Sequence, residues 1–435
     1  MARPLLLILI PILVIRCAAG SGGDGSASYW TKQLGVASVD TNPNSVLVDS
    51  GGYVYVGGQT QGGLDGNTLT GTHDAFITKY NSQGAKQSTI QFGVTSGSKI
   101  TGVTGLAKDS SNKIFVSGST NGDLFGAGGP AGTNYFLIKY DSSGNRLWTK
   151  QGGAGGLTRG NGVSVAADGS SVIVGDTSVG LDGVSMTGST DFFVVKYNSA
   201  GTRQWTKQLG VATKITRAIG VVHDSSSNVY VTGTTNGGLD GNTLGGVEDL
   251  FLTKYDSSGN KIWTKQMSAS WIACSSFQTS PQDIAKDSSD NVYITGVVFC
   301  GVPVKYGYFV AKYNSSGTLT AETEAWDTSS IYATSIAIDG SNNAYIAGTT
   351  MIGLNGSTMQ GVSDLFLMKI DSSGNPVWTK QKGTSGASLY PGGLASDSSG
   401  NIFVTAETNR GMDGNTQTGT HDFVVFKFNS SGSLQ

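Results

Sequence analysis

The sequence predicts an all-β chain folded as a single seven-bladed β-propeller, four antiparallel strands to a blade, and three observations predict it. A two-strand motif recurs seven times at nearly constant spacing. A second hairpin precedes it in each unit. The chain also opens with a piece of the motif that its end lacks. One copy, Asp249 to Gln266, reads D-L-F-L-T-K-Y-D-S-S-G-N-K-I-W-T-K-Q. Leu250, Phe251, Leu252 and Tyr255 form an apolar run too short for a helix. Asp256-Ser257-Ser258-Gly259 supplies the turn: the Asp can accept from its own backbone two residues on, and the Gly takes positive φ without a Cβ clash. Lys261 to Lys265 then returns antiparallel, with Trp263 offering a large apolar face.

The lysine before each turn marks the period. Lys79, Lys139, Lys196, Lys254, Lys312, Lys369 and Lys427 are separated by 60, 57, 58, 58, 57 and 58 residues. Upstream hairpins such as Ile219 to Gly233 bring each unit to four short strands joined by Gly, Asn and Ser turns. Self-similarity at this period, with no helical pattern, is the signature of propeller blades. Tyr29 to Gln33 matches the outermost strand Trp263 to Gln266, whereas Phe423 to Gly432 is a third strand and turn without that partner. An open array would leave both pieces as unpaired edges, and a ring joins them in one blade. The expected organisation is a signal peptide at 1–17, a flexible tether at 18–28 and the propeller at 29–435.

Units of the form I-A-x-D-S-S-G-N-V-Y-V-T-G-x-T followed by D-x-F-L-x-K-Y-D-S-S-G-N-x-x-W-T-K-Q resemble the bacterial beta-propeller repeat (SBBP) family, over essentially the whole chain after the leader. The resemblance implies the fold and brings no reaction or ligand with it.

Charged residues are only 13 % and glycines number 65, which suits a turn-rich β protein. The formal charge is −2; without Arg3 and Arg16 it is 26 basic against 30 acidic residues. That is no footprint for nucleic acid. Leu5 to Ile15 is an apolar core of 11 residues behind Arg3, too short to span a bilayer and suited to export. Cys17 followed by Ala18-Ala19-Gly20-Ser21-Gly22-Gly23 resembles a bacterial lipoprotein junction. Arg16 stands where a small residue is expected, and cleavage near Ala18 to Gly20 without lipidation is the alternative. The chain is thus expected in the bacterial cell envelope (outer membrane or periplasm) or secreted, touching membrane only through a lipid on Cys17, and monomeric.

Loops after the first and third strands of a blade share one face of the disc, and the other connections share the opposite face. Cys274 falls in the long connection into blade 5 and Cys300 after that blade's second strand, so both sit on one face of one blade, where an exported protein can form a disulfide. Two free thiols are the alternative.

The short-turn face carries Asp109 to Asn112, Asp141 to Asn145, Asp224 to Asn228, Asp287 to Asn291 and Asp397 to Asn401, whose polar residues are accounted for by turn geometry. The long-loop face carries Gly62 to Asn67, Gly180 to Val184, Asn236 to Asn242, Gly353 to Ser357 and Gly411 to Asn415, with Asn121 to Thr133 in blade 2 and a shortened loop around Cys300 in blade 5. Binding residues concentrate on loops held by a rigid scaffold. The candidate binding face therefore includes Asp65, Asp182, Asp240 and Asp413, together with Trp271, Phe277 and Phe299 of blade 5. Stacking on a sugar or a partner's apolar surface competes there with simple self-burial. Asp240, Asn242 and Thr243 offer three oxygens, short of the 6–8 that calcium takes, and no cofactor is expected.

Catalysis finds little in the sequence. His73 and His421 are equivalent positions on adjoining blades, a blade's width apart, and His223 precedes a turn. Glu322 and Glu324 share a face of an outer strand, and Asp283 is a carboxylate in an inner strand, destined for the axial channel or a salt bridge. The seven lysines sit away from the axis, and repeated ion pairing is their expected use. The function expected is a non-enzymatic scaffold binding a protein or glycan through the long-loop face. The alternatives are a glycan-active hydrolase or lyase using the axial channel, or a purely structural envelope protein. Mass spectrometry of the mature N-terminus tests the first step: a diacylglycerol-modified Cys17 is the expected species, and an unmodified terminus between 18 and 20 removes the anchor.

Overall fold

The structure, a computed structural model, describes residues 29–95, 98–268, 276–301, 304–327 and 330–435. They form seven four-stranded antiparallel sheets arranged as the blades of a propeller. Blade 1 comprises Thr41–Val48, Val54–Thr60, Asp74–Tyr80 and Lys86–Phe92, and blade 4 comprises Thr216–His223, Val229–Thr235, Asp249–Tyr255 and Lys261–Met267. The seventh sheet takes Leu389–Ser396, Ile402–Thr408 and Asp422–Phe428 from the end of the chain and Lys32–Leu34 from its start. Lys32 pairs with Val425 and Leu34 with Phe423, and the Trp30 amide donates to the Gln435 carbonyl at 2.6 Å. The ring is closed as expected.

The second and third strands are apolar on both sides because each blade is packed between two others. Val172, Val174, Phe192 and Val194 of blade 3 form one core with Ala218, Val229, Val231 and Phe251 of blade 4. Phe192 stacks on Phe251 at 4.9 Å, and Phe76 stacks on Phe423 at 5.3 Å across the closure. Fourth strands face solvent, which is why they carry Lys, Gln and Thr.

Every first strand carries a β-bulge at the same place. The register shifts at Asn44, Thr104, Asn161, Ile219, Gln282, Thr334 and Gly392. Bulges re-aim polar groups, and here several reach the next blade: Asn44 Nδ2 donates to the Val103 carbonyl at 2.8 Å, Thr104 to Gly160 at 2.8 Å, and Asn161 to Ala218 at 2.8 Å.

The lysines do pair, though not with the Asp that opens their own strand. Lys139, Lys254 and Lys312 approach Asp109, Asp224 and Asp287 of their own blade's first turn at 3.4, 3.5 and 3.7 Å. The strand-opening aspartates cap the loop before them instead: Asp249 accepts from the Gly245 and Gly246 amides and from Gln266. Lysine Nζ also crosses to the next blade. Lys79 donates to the Ser142 carbonyl at 2.9 Å, Lys196 to Ser257 at 2.9 Å and Lys254 to Ser315 at 3.1 Å. Trp205 Nε1 joins Lys196 on the same Ser257 carbonyl at 3.3 Å.

Blade 5 departs from expectation. Its strands Phe277–Lys286, Val292–Gly301 and Val304–Tyr313 are ten residues each, where the usual length is seven or eight. Phe277, Phe299 and Cys300 are therefore in strands and not in loops, and the expected short loop is the continuation of a hairpin in which Phe299 pairs with Tyr306 and Cys300 with Lys305. The β-branched and aromatic run Val297-Val298-Phe299 favours extended backbone, which carries the ladder beyond the other blades.

The docking of one blade's turn on its neighbour's tryptophan can be measured. Gly259 has φ +84°, and a Cβ there would lie 2.8 Å from Lys207 Cε and 2.9 Å from Trp205, whereas Gly241, φ +82°, has nothing within 4 Å. Gly241→Ala should cost about 1–2 kcal/mol for left-handed backbone alone, and Gly259→Ala about 1–3 kcal/mol more from overpacking, read from urea denaturation midpoints. Equal costs would mean that the contact with Trp205 does not constrain the turn.

Candidate functional site: the mouth of the axial cavity

The first strands enclose a cavity of ≈ 660 Å³ on the axis, where aliphatic residues such as Leu47, Val163 and Ile336 alternate with a ring of small ones that includes Ser45, Gly105, Gly162, Gly220, Ser335 and Gly393. These positions are small because the next blade's backbone is close: a Cβ on Gly393 would meet the Val46 amide at 2.8 Å, and one on Gly162 the Ile219 carbonyl at 3.1 Å. Where a side chain is present it bonds to that backbone. Ser45 Oγ accepts from the Leu106 amide at 3.1 Å.

Asp283 occupies the same register position in blade 5 and does the same work. One oxygen accepts from the Ile336 amide of blade 6 at 3.0 Å and the other from its own Ile284 amide at 2.8 Å. Among the described residues no cation pairs with it. Burial outweighs the two amide bonds and pushes its pKa up to about 6. It lines the cavity as a backbone acceptor rather than as half of a salt bridge.

Above the cavity, on the long-loop face, the seven blades stop resembling one another. The residue two before each first-strand bulge is Asn42, Gly102, Arg159, Arg217, Ser280, Tyr332 or Tyr390, facing Gln59, Ser119, Asp176, Thr234, Val297, Thr349 and Glu407 on the second strands. One step outward blades 1 to 4 are alike again, with the hydrogen-bonded threonine pairs Thr41–Thr60, Thr101–Thr120, Thr158–Thr177 and Thr216–Thr235, while blades 5 to 7 keep one threonine of the pair, in Thr279–Val298, Ile331–Thr350 and Leu389–Thr408.

Three chemistries meet at this mouth. On blades 3 and 4, Arg159 pairs with buried Asp176 at 3.2 Å, Asn161 donates to the other Asp176 oxygen, and Arg217 follows on the next blade. On blades 5 to 7, Phe299, Tyr306 and Tyr332 form an aromatic row with centroids 5.1 and 5.7 Å apart, and Tyr390 is 45 % exposed. At the closure, His421 Nδ1 lies 2.8 Å from Asp40 and 3.6 Å from Glu407, and Glu407 also accepts from Asn42. Among the described residues no group of three His, Cys, Asp or Glu has metal-holding geometry.

Of the described candidates named from sequence, Phe299 is the one placed at this mouth. Asp65, Asp182 and Asp240 lie on turns folded down over the outer strand of their own blade, where they pair with Lys86, Arg203 and Lys261. Asp413 pairs with Lys382 of the neighbouring blade and accepts from Thr31. All four have left-handed backbone (φ 56, 52, 56 and 51°), and the residue before each, Leu64, Leu181, Leu239 or Met412, is buried beneath the turn. With Lys261 on its carboxylate, Asp240 is already supplied with a cation. Phe277 is half-buried against the blade 4–5 core, Phe299 stands in the aromatic row, and Cys300 is fully buried. Trp271, Cys274 and Cys17 lie outside the described residues.

His223 is buried between blades 3 and 4, 2.8 Å from Ser164 Oγ, and desolvation with nearby Lys196 lowers its pKa to about 4, so it is neutral. His73 contacts Gln61 at 3.0 Å. Glu322, pushed up to about 7 by burial and by Glu324, sits on an outer strand remote from the axis. Arg159, Arg217, Tyr332, Tyr390 and the Asp40–His421–Glu407 group were not singled out from sequence. Aligning the seven units on their first strands would have exposed this variable position.

The fold and its repeats define the class: this is a β-propeller repeat protein. Segments 30–65, 204–240, 327–355 and 377–411 match the SBBP beta-propeller repeat family. Each match runs from a fourth strand into the first two strands of the next blade, the same offset that closes the ring. The chain is 26 % identical to the regulatory protein FlaEY of Caulobacter vibrioides over 340 residues, 67 % of this chain and 34 % of that protein. An uncharacterized WD repeat-containing protein of Acanthamoeba polyphaga mimivirus is 27 % identical over 143 residues, 30 % of this chain and 9 % of that one. The chain thus spans about a third or less of the curated relatives it matches. Solved structures similar to it include a chain of a mitotic checkpoint complex (12 % identity, 91 % of this chain and 96 % of that one, TM-score 0.49). A gluconolactonase from Xanthomonas campestris follows at 14 % identity, 69 % and 78 % coverage and TM-score 0.34. A quinoprotein alcohol dehydrogenase-like protein from Bacteroides thetaiotaomicron has 10 % identity, 81 % and 66 % coverage and TM-score 0.41. None of the three carries a functional argument.

Asp283 makes stability depend on pH. Its folded pKa of about 6 lies above the ordinary carboxylate value of 3.8, so its favourable contribution is complete below about 4 and is lost as pH rises through 6. Between pH 7.5 and 4.5 the wild type should gain about 2 kcal/mol relative to Asp283→Asn, measured by denaturant midpoints. Parallel pH profiles for the two proteins would refute this assignment.

Proposed function

We propose that the chain is a non-enzymatic binding scaffold, exported to the bacterial cell envelope or surface and tethered through its N-terminus, that engages a protein or glycan on its long-loop face. The observation that carries this is the mouth ring. Seven blades that repeat in their turns and lysines present five residue types (Asn, Gly, Arg, Ser and Tyr) at one level around the axis, and a surface that departs from its own repeat is where selection for a ligand would act. The cavity beneath is lined by Gly, Ser, Val, Leu and Ile residues among others, and its carboxylate Asp283 is engaged by two backbone amides. A disulfide between Cys274 and Cys300 belongs to this reading, supported by Cys300 being a bonded cysteine; it would brace the long blade 5 hairpin beside the mouth.

A second reading, a glycan hydrolase or lyase, draws on Asp40, His421 and Glu407 standing together at the closure. Their oxygens are already taken by His421 and Asn42, which favours an orienting network over a free acid and base.

One experiment separates the two. Purified protein is screened on a glycan array and against envelope extracts, and captured glycans are assayed for chain cleavage. Retention without cleavage, weakened about tenfold or more by Tyr390→Ala, is the expected result. Cleavage abolished by Glu407→Gln would establish the enzyme instead, and no retention by either route would remove the scaffold.

A further inference from the structure

This inference rests on the scaffold reading and narrows it. We propose that the mouth on blades 3 and 4 binds the carboxylate of an acidic sugar, with Arg217 as the principal cation, Arg159 beside it and the tyrosines of blades 6 and 7 serving the sugar rings.

The charge is unbalanced at one spot. Arg159 and Arg217 are register equivalents on neighbouring blades whose first strands are joined by the Asn161 bond to the Ala218 carbonyl at 2.8 Å. Arg159 faces Asp176, but Arg217 faces Thr234. Of the two guanidinium groups, Arg159 alone has a carboxylate opposite it. Asp176 is committed to Arg159 and Asn161. Arg217 makes no ion pair among the described residues, and its Nε is enclosed without a hydrogen-bond partner. Arg217 as a whole is only partly buried, so its charge remains within reach of an arriving anion. Guanidinium is always charged, weakly hydrated and planar, which matches a carboxylate's paired oxygens.

The rest of the mouth points to a sugar as the bearer of that carboxylate. Tyr332 and Tyr390 occupy the same register level on blades 6 and 7, with Tyr390 open to solvent and Tyr332 continuing into Tyr306 and Phe299. Aromatic faces with a polar tip suit the C–H face and hydroxyls of a pyranose. Asp40 and Glu407, at the closure, repel a second carboxylate from that side. An acidic chain would thus be oriented, its anion toward blades 3 and 4. A polyphosphate or nucleic acid fits less well, because the chain's formal charge is −2 and the cations at the mouth are confined to two blades.

The test uses the full chain with two probes, trigalacturonate and the neutral galactose trisaccharide of the same linkage, titrated calorimetrically at low and high salt. Wild type should bind trigalacturonate at least about tenfold more tightly than the neutral sugar, with the preference shrinking in salt. Arg217→Gln should abolish the preference with an unchanged thermal midpoint, Arg217→Lys should restore part of it, and Tyr390→Ala should weaken both sugars. Equal binding of the two sugars, or a preference indifferent to Arg217→Gln, overturns this inference and leaves the scaffold standing if other ligands are retained on the array. Failure to bind trigalacturonate overturns it as well. Failure of every arrayed ligand overturns the scaffold too.

Discussion

The structure depends on a short turn of one blade being held by the blade before it. At Ser257 a single backbone carbonyl receives Lys196 Nζ and Trp205 Nε1, both from blade 3, while Gly259 of the same turn lies against the Trp205 ring. The lysine bond recurs at Ser142, Ser199, Ser315 and Ser372, and Trp30 Nε1 donates in the same way to the Ser82 carbonyl. A β-sheet has no intrinsic reason to pack beside a copy of itself at one angle. A turn locked by two donors and a ring face supplies that angle, and it explains why Lys, Asp-Ser-Ser-Gly and Trp travel together in the repeat. Lys139, Lys254 and Lys312 are largely enclosed, and their carbonyl, carboxylate and aromatic neighbours together offset the desolvation that any one of them would leave unmet.

The bulges on the inner strands perform the corresponding task at the axis. There the blades approach so closely that six of the seven carry glycine or serine, with Asp283 in the other, and the displaced residue reaches across to a neighbouring carbonyl at Asn44, Thr104 and Asn161. Rim and axis are thus both occupied with holding the ring. What remains for a ligand is the long-loop end of the first strands, where side chains rise above the bulges and the neighbouring backbone no longer dictates their size. The Leu-Asp-Gly-Asn turns are absent from that surface because they have another use. They fold over the outer strands, burying a leucine and placing Asn67 and Asn242 on outer-strand carbonyls, which covers an edge that would otherwise be open to pairing.

Much of this was legible in the linear chain because repetition is visible there. Seven lysines at constant spacing reveal seven blades, and an orphan Trp30 strand at the start reveals the closure. The turn aspartates were read correctly as structural: Asp141 and Asp256 accept from amides two and four residues on. The site was less legible. Asp65 and Asp240 looked like surface chemistry because their pairing with Lys86 and Lys261 depends on the turn folding back across two strands, a path that spacing does not show. Phe299 and Cys300 read as loop because the ten-residue ladder of blade 5 is recognisable only once its partner strand is beside it.

Sequence by itself determined the fold class, the number of blades, the strand that closes the ring and the face on which variable chemistry gathers, because all of these follow from periodicity and from the need to pair strand edges. Tertiary structure alone decided that Asp283 serves a neighbouring amide, that Asp40, Glu407 and His421 meet at the closure, and that Arg217 stands without a counter-charge beside Arg159. Those facts join residues from different blades, and the angle and register at which blades meet are set by packing across the ring.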